Sequence, residues 1–255
     1  MSTAALVATT EARGKDACRA LCMSGGGSNG AWELGTLYGF VHNGDPADFT
    51  FDVLTGVSAG SINAAGMAGW EIGNEVAMTE WMSNLWMELK TSDVYVQWDL
   101  GLISGLLLMG GVVDNSPLQS FMMHVLAQYP EGYKKRVTIS AANVETGEFH
   151  DFDQTDTTFS ELAFAAHSSA SIPGVFPPHK WIKRGTFMDG GTVWNINTVS
   201  AVEQCRELVD DDSKIIIDAY IIGGPGGIPT AESDDHVFEN YMRGRDLKKY
   251  YGSTD

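Results

Sequence analysis

Gly56-Val57-Ser58-Ala59-Gly60 spells G-x-S-x-G, a serine with a glycine two residues away on each side. Phe51 to Val57 before it reads as a buried strand, and Ser58 to Trp70 after it as a helix of small residues. Ser58 therefore falls on a tight strand-to-helix turn. Such an elbow presents the hydroxyl to a substrate, Gly56 and Gly60 relieve crowding in the strained turn, and the helix N-terminus lends positive potential to a developing negative charge. The chemistry this suits is nucleophilic acyl transfer, which also needs an anion hole and a base.

Donors for the anion are offered by Ser24-Gly25-Gly26-Gly27-Ser28-Asn29-Gly30, between the apolar run Arg19 to Met23 and a helical pattern from about Gly30 to His42. Consecutive amides bare of side chains at a helix N-terminus form an anion cradle. Gly25, Gly27 and Gly30 also spell G-x-G-x-x-G, which would suit a dinucleotide pyrophosphate. That reading wants an acidic residue about 20 positions on, at the end of the next strand. Asp48 and Asp52 fall near that distance but precede the second strand, whose end carries Ser58 instead. Acyl transfer is the better fit.

The base is harder to find. Of His42, His124, His150, His167, His179 and His236, only His236 follows Asp189 in the order Ser, Asp, His, and it sits in an acidic tail. Asp189 in Met188-Asp189-Gly190-Gly191 stands at the end of a short strand, with two glycines that let another backbone come close. On the residues alone two roles stay open for it. It takes the serine proton itself, which requires burial or a water-poor site to raise its basicity, or it caps local N–H groups in a turn.

The 255 residues are 44% hydrophobic and 19% charged, enough to bury a sizeable core in a globular, water-soluble protein. A net charge of −17 argues against nucleic acid, whose binding draws on Lys and Arg clusters, and against long-range attraction to an anionic membrane. Three cysteines, Cys18, Cys22 and Cys205, cannot all pair; reduced thiols and core positions for Cys18 and Cys22 are expected. The N-terminus lacks a basic region and a long apolar run, so no signal peptide is expected. No N-x-[ST] sequon occurs, a weak argument against secretion. Leu100 to Val113 is too short to cross a bilayer and reads as buried or as lining an acyl chain. Together these favour an intracellular soluble or peripheral membrane protein. Asp151 to Asp156 begins like a calcium loop but has Asp156 at the glycine position and Leu162 in place of the closing Glu, so it is expected to be a solvated acidic turn. No metal and no cofactor is expected.

The elements that must position these residues alternate. After the two strand-turn-helix units come a helix from Glu71 to Leu89, a helix opened by Asp114-Asn115-Ser116-Pro117, and a strand at Arg136 to Ala142. A helix around Phe159 to Ser169, a short strand ending at Met188 and a strand at Lys214 to Ile222 follow. The pattern predicts an open α/β sheet with helices on both faces, reactive groups gathering at the carboxyl ends of its strands.

GGGSNG, GVSAG and DGG in this order resemble the patatin-like phospholipase family. The likeness extends to Leu54 through Ala65, to Ser168 through Pro178 (SSASIPGVFPP) and to Asn195 after the DGG block, covering about Cys18 to Asn197. The resemblance implies a three-layer α/β/α fold with a mostly parallel central sheet. It also implies one acyl hydrolase domain over 18–255 after an extension at 1–17, the part beyond about Asp210 lying outside the likeness. It implies a serine acyl hydrolase with a Ser-Asp dyad: Ser58 as nucleophile, Asp189 as base and Gly25, Gly26 and Gly27 as oxyanion hole, supported by Gly56, Gly60, Gly190 and Gly191. The implied partner is an acyl lipid met at a membrane surface, with Leu102 to Met109, Trp81, Trp86 and Met87 as candidates to line its chain. The alternative of the same fold is a lipid-binding or storage protein without useful turnover. Two positions depart from the family: Asn29 stands where it usually has Arg or Lys, and Asn197 where a proline is expected.

Overall fold

The computed structural model describes residues 16–99, 101, 105, 109–129, 131–222 and 243–244. Four strands form its parallel part, β1 (Cys18–Met23), β2 (Val53–Val57), β3 (Arg136–Asn143) and β7 (Ile215–Tyr220), in the order β3-β2-β1-β7. β1 and β2 are buried along their whole length, as strands covered on both faces must be. The pleat sorts their side chains between two cores. Leu21, Met23 and Leu54 enter the larger one, beneath α1 (Gly30–Asn43), α2 (Ala59–Met67), α3 (Glu75–Glu88), α5 (Ser116–Leu126) and α6 (Leu162–Ser169). Cys18, Ala20, Cys22 and Val53 enter a smaller one beneath α7 (Thr198–Arg206). The short α4 (Thr91–Val94) follows α3. The predicted arrangement, a central parallel sheet between helices, is the one observed.

The expected short strand before Asp189 is β6 (Gly185–Asp189); what the sequence did not announce is β4 (Phe149–Asp153), β5 (His179–Trp181) and the antiparallel pairing of all three. Half of the expected acidic turn is thus a strand, with Asp151 accepting from Asn197 Nδ2 and Ser200 Oγ, while the turn proper is confined to Asp153–Asp156. β4 pairs with β3 over Thr138 to Ala142 and so occupies one edge of it. On the other edge β2 pairs with Arg136 to Ser140, and β6, running the opposite way, with Ala141 to Asn143. β2 and β6 therefore meet end to end along one strand, Val57 opposite Ser140 and Asp189 opposite Ala141.

The cysteines require a correction. Cys18 and Cys205 form a disulfide, their Cα atoms 5.6 Å apart across 187 residues, because the start of β1 packs against the end of α7. Cys22 is the free cysteine, and burial pushes its thiol up to about 11. Most of the Leu100 to Val113 segment, the N-terminal extension and His236 lie outside the described residues. Among the described residues no helix is long and apolar enough to cross a membrane.

Candidate active site

β2 ends in the elbow anticipated for it. Ser58 has φ +52°, ψ −120°, a left-handed conformation that costs an L-residue about 1–3 kcal/mol and must be held by its surroundings. Ser169 Oγ accepts from the Ser58 amide at 2.8 Å and itself donates to the Ser140 carbonyl at 2.6 Å. The Ser58 carbonyl accepts from the amide and hydroxyl of Ser61. The flanking glycines permit close passage: a Cβ on Gly56 would overlap the Gly60 carbonyl, and one on Gly60 the Met23 carbonyl. Both obstacles are main chain and cannot rotate away. Gly60→Ala is accordingly expected to cost about 3 kcal/mol, the upper range of core overpacking, read as a lower urea midpoint with an unchanged m-value.

The junction of β2 and β6 sets the acid beside the serine. Ser58 Oγ donates to Asp189 Oδ2 at 2.6 Å, with Ser58 5% and Asp189 6% exposed. Asp189 Oδ1 accepts from the Gly191 amide at 2.7 Å, and the Asp189 amide donates to the Ser171 carbonyl. One carboxylate oxygen thus caps the turn while the other accepts the serine hydroxyl, a geometry that accommodates both roles left open in the sequence. A hydroxyl bonded to a buried carboxylate at the positive end of a helix can pass its proton across that bond and attack an electrophile.

The glycine loop comes alongside. A Cβ on Gly25 would lie 2.9 Å from Ser58 Cβ and 2.6 Å from Asn195 Oδ1. Asn195 clasps this residue from both sides, its carbonyl accepting from the Gly25 amide at 3.0 Å and its Nδ2 donating to the Gly25 carbonyl at 2.9 Å. The Gly25 amide is therefore already engaged. Among the described residues no acceptor is seen for the amides of Gly26 and Gly27, the latter at φ +61°. The clasp and the Ser169 pin escaped sequence reasoning. Their only trace was position, Asn195 just after DGG and Ser169 within the serine-rich run before the acid.

Among the described residues Ser58 Oγ turns to the aspartate and not to a histidine. His167 and His179 instead form a pair with ring centroids 4.5 Å apart, His167 buried and His179 half-buried; Ser168 Oγ meets His179 Nδ1 at 2.7 Å, whereas among the described residues neither nitrogen of His167 makes a full hydrogen bond. Burial, reinforced by His179, pushes His167 down to about 3, and burial pushes His179 down to about 4. Both folded values lie below the ordinary 6.5, so the pair resists protons that the unfolded chain accepts. Its stabilising contribution is present above about pH 6.5 and lost as pH falls toward 4. A urea midpoint lower at pH 5 than at 6.5, with a slope that weakens in His167→Leu, is expected.

One helical turn beyond Ser58, Ile62 joins Gly66, Met82, Trp86, Phe121 and Val125 around an apolar cavity between α2, α3 and α5. Of the aromatic and Met candidates for an acyl-chain lining, Trp86 is there. Trp81 packs on Trp70 and Tyr129 instead, and Met87 is 75% exposed.

The family model described as patatin-like phospholipase matches residues 21–202, more than two thirds of the chain. A cGAMP-activated phospholipase of Escherichia coli (strain TW11681) is 27% identical over 228 residues, 82% of this chain and 62% of that protein. The crystal structure of VipD from Legionella pneumophila aligns with a TM-score of 0.52 at 12% identity, over 81% of this chain and 50% of VipD, a likeness of fold. The chain thus spans less than two thirds of the length of either.

Proposed function

The chain belongs to the patatin-like phospholipase family, and from that premise we propose that it hydrolyses carboxylic esters of phospholipids or related acyl lipids, Ser58 serving as nucleophile and Asp189 as base. The observation that carries this reading is the 2.6 Å hydrogen bond from Ser58 Oγ to Asp189 Oδ2 at the start of α2. Asp189 takes the Ser58 proton as Oγ adds to the ester carbonyl. The oxyanion is held by the amides of Gly26 and Gly27, the Gly25 amide being engaged by Asn195. Asp189 returns the proton to the departing alcohol, leaving an acyl-serine. Water, deprotonated by Asp189, then attacks the acyl carbon; the fatty acid leaves and Ser58 is reprotonated.

The apolar lining behind Ile62 and Trp86 supports an acyl chain running toward this side of α2. A net charge of −17 favours neutral or zwitterionic head groups, approached at a membrane surface. Its relative's name brings one further element to this chain, activation by cGAMP.

The test is intact mass after exposure to a fluorophosphonate, followed by fatty-acid release from phosphatidylcholine vesicles, each with and without cGAMP. One adduct per chain, absent in Ser58→Ala, together with released fatty acid, is expected. A folded protein that takes no adduct under either condition would overturn the hydrolase reading in favour of a lipid-binding protein of this fold.

A further inference from the structure

α1 opens directly after the glycine loop, and its first turn buries an acid. Glu33 is 1% exposed; its Oε2 accepts from Asn63 Nδ2 at 3.2 Å, and among the described residues its Oε1 makes no full hydrogen bond, Ser24 being its polar neighbour. The same Asn63 amide, on α2, donates to the Gly30 carbonyl at 3.0 Å, and Asn63 Oδ1 accepts from Trp86 Nε1 of α3 at 2.8 Å. Gly30 is wedged between these groups, since a Cβ there would meet Trp86 Cζ2 at 2.9 Å and the Cβ of Ala59, the residue after Ser58, at 3.0 Å. One side-chain amide thus ties three helices together where the loop becomes α1, against the elbow.

Among the described residues no cation pairs with Glu33. Asn63 is what α2 offers it, and Ala59–Met67 holds no ionisable residue. From α3 comes Trp86 by way of Asn63, while Glu75 of that helix is tied to Lys135. Ser24 lies beside it just after β1, and on the sheet side Tyr220 of β7 feels the charge of Glu33 together with that of the Arg19–Asp218 pair. An isolated carboxylate so placed loses hydration without gaining a counter-charge.

We infer that Glu33 is a positioning residue for the glycine loop, acting as the neutral acid through Asn63 and the Gly30 carbonyl. The inference rests on the hydrolase reading above. Burial raises the Glu33 carboxyl to about 8, Asn63 and Ser24 pulling it part of the way back, so the acid is protonated at neutral pH. When it ionises, it draws the Asn63 amide away from Gly30 and puts a negative charge behind the loop proposed to receive a negative oxygen. Turnover then falls although Glu33 touches no substrate.

The experiment is the pH profile of kcat and KM for a soluble ester, wild type beside Glu33→Gln, from pH 6 to 9, with circular dichroism confirming that both stay folded. Wild type is expected to show a descending limb in kcat, about tenfold down at pH 9, one unit above an ionisation near 8, with KM little changed. Glu33→Gln keeps the bond from Asn63 and removes the charge, so its kcat is expected to stay level over that range. A merely structural role would lower stability and activity alike while leaving the limb in place. A limb that persists in Glu33→Gln, or a wild type without one, overturns the inference alone. Absence of turnover at every pH, with and without cGAMP, overturns the hydrolase reading and this one with it. Should Glu33→Gln not fold, the fluorophosphonate labelling rate of wild type decides: a fall near pH 8 supports the inference and a level rate sinks it.

Discussion

Ser58→Ala is expected to lower kcat for ester hydrolysis by at least about 10⁴-fold, since removing a serine nucleophile costs on the order of 10⁶ where such enzymes have been dissected. The fold should survive, because the pins on this residue grip its main chain: Ser169 Oγ takes its amide and Ser61 its carbonyl. A second variant separates chemistry from strain. Glycine accepts the φ of +52° without penalty, so Ser58→Gly is expected to be equally inactive and yet about 1 kcal/mol more stable than Ser58→Ala. The pair of measurements is steady-state hydrolysis and urea unfolding of both variants. Turnover within tenfold of wild type in either would remove Ser58 from the mechanism; equal stability of the two would remove the strain.

Asp189→Asn is expected to cost about 10⁴ in kcat, the loss seen when the acid of a serine hydrolase is made neutral. Asparagine keeps an oxygen for the Gly191 amide, so the turn Gly190–Thr192 keeps its cap and the unfolding midpoint should hardly move. What it loses is the acceptor for the serine proton. Residual hydrolysis should therefore climb with pH as hydroxide takes over from the missing base, a dependence absent in wild type over the same interval. If Asp189 were only a turn cap, Asp189→Asn would retain its activity.

The sequence declared the elbow through composition and period together: an apolar strand, a serine between glycines and a small-residue helix agree on one conformation at Ser58. It declared the acid only as a possibility, because a lone Asp before two glycines fits a capped turn as well as a base. Nothing local could reveal that β6 abuts β2, since this depends on which residues of β3 each one pairs with. β4 and β5 were hidden for a related reason; Phe149–Asp153 (FHDFD) carries two acids in its five residues, and His179–Trp181 is three residues long, too short for periodicity to register. The disulfide joins residues 187 apart, a pairing that packing creates and spacing does not show. Asn63 and Glu33 read as ordinary helix residues until the three helices around Gly30 are brought together.

The end-to-end meeting of β2 and β6 acts as a ruler. Ser58 and Asp189 are 131 positions apart in the chain, yet their gap is marked off by two consecutive residues of β3, Ser140 and Ala141. The excursions between β2 and β3 and between β4 and β6 hang outside that measurement. Exchanges there that spare Ser61, Ser169 and Ser171, which bond Ser58 and Asp189, leave the serine at the same spacing from the acid. Change around the site is thereby uncoupled from the spacing of the serine and the acid.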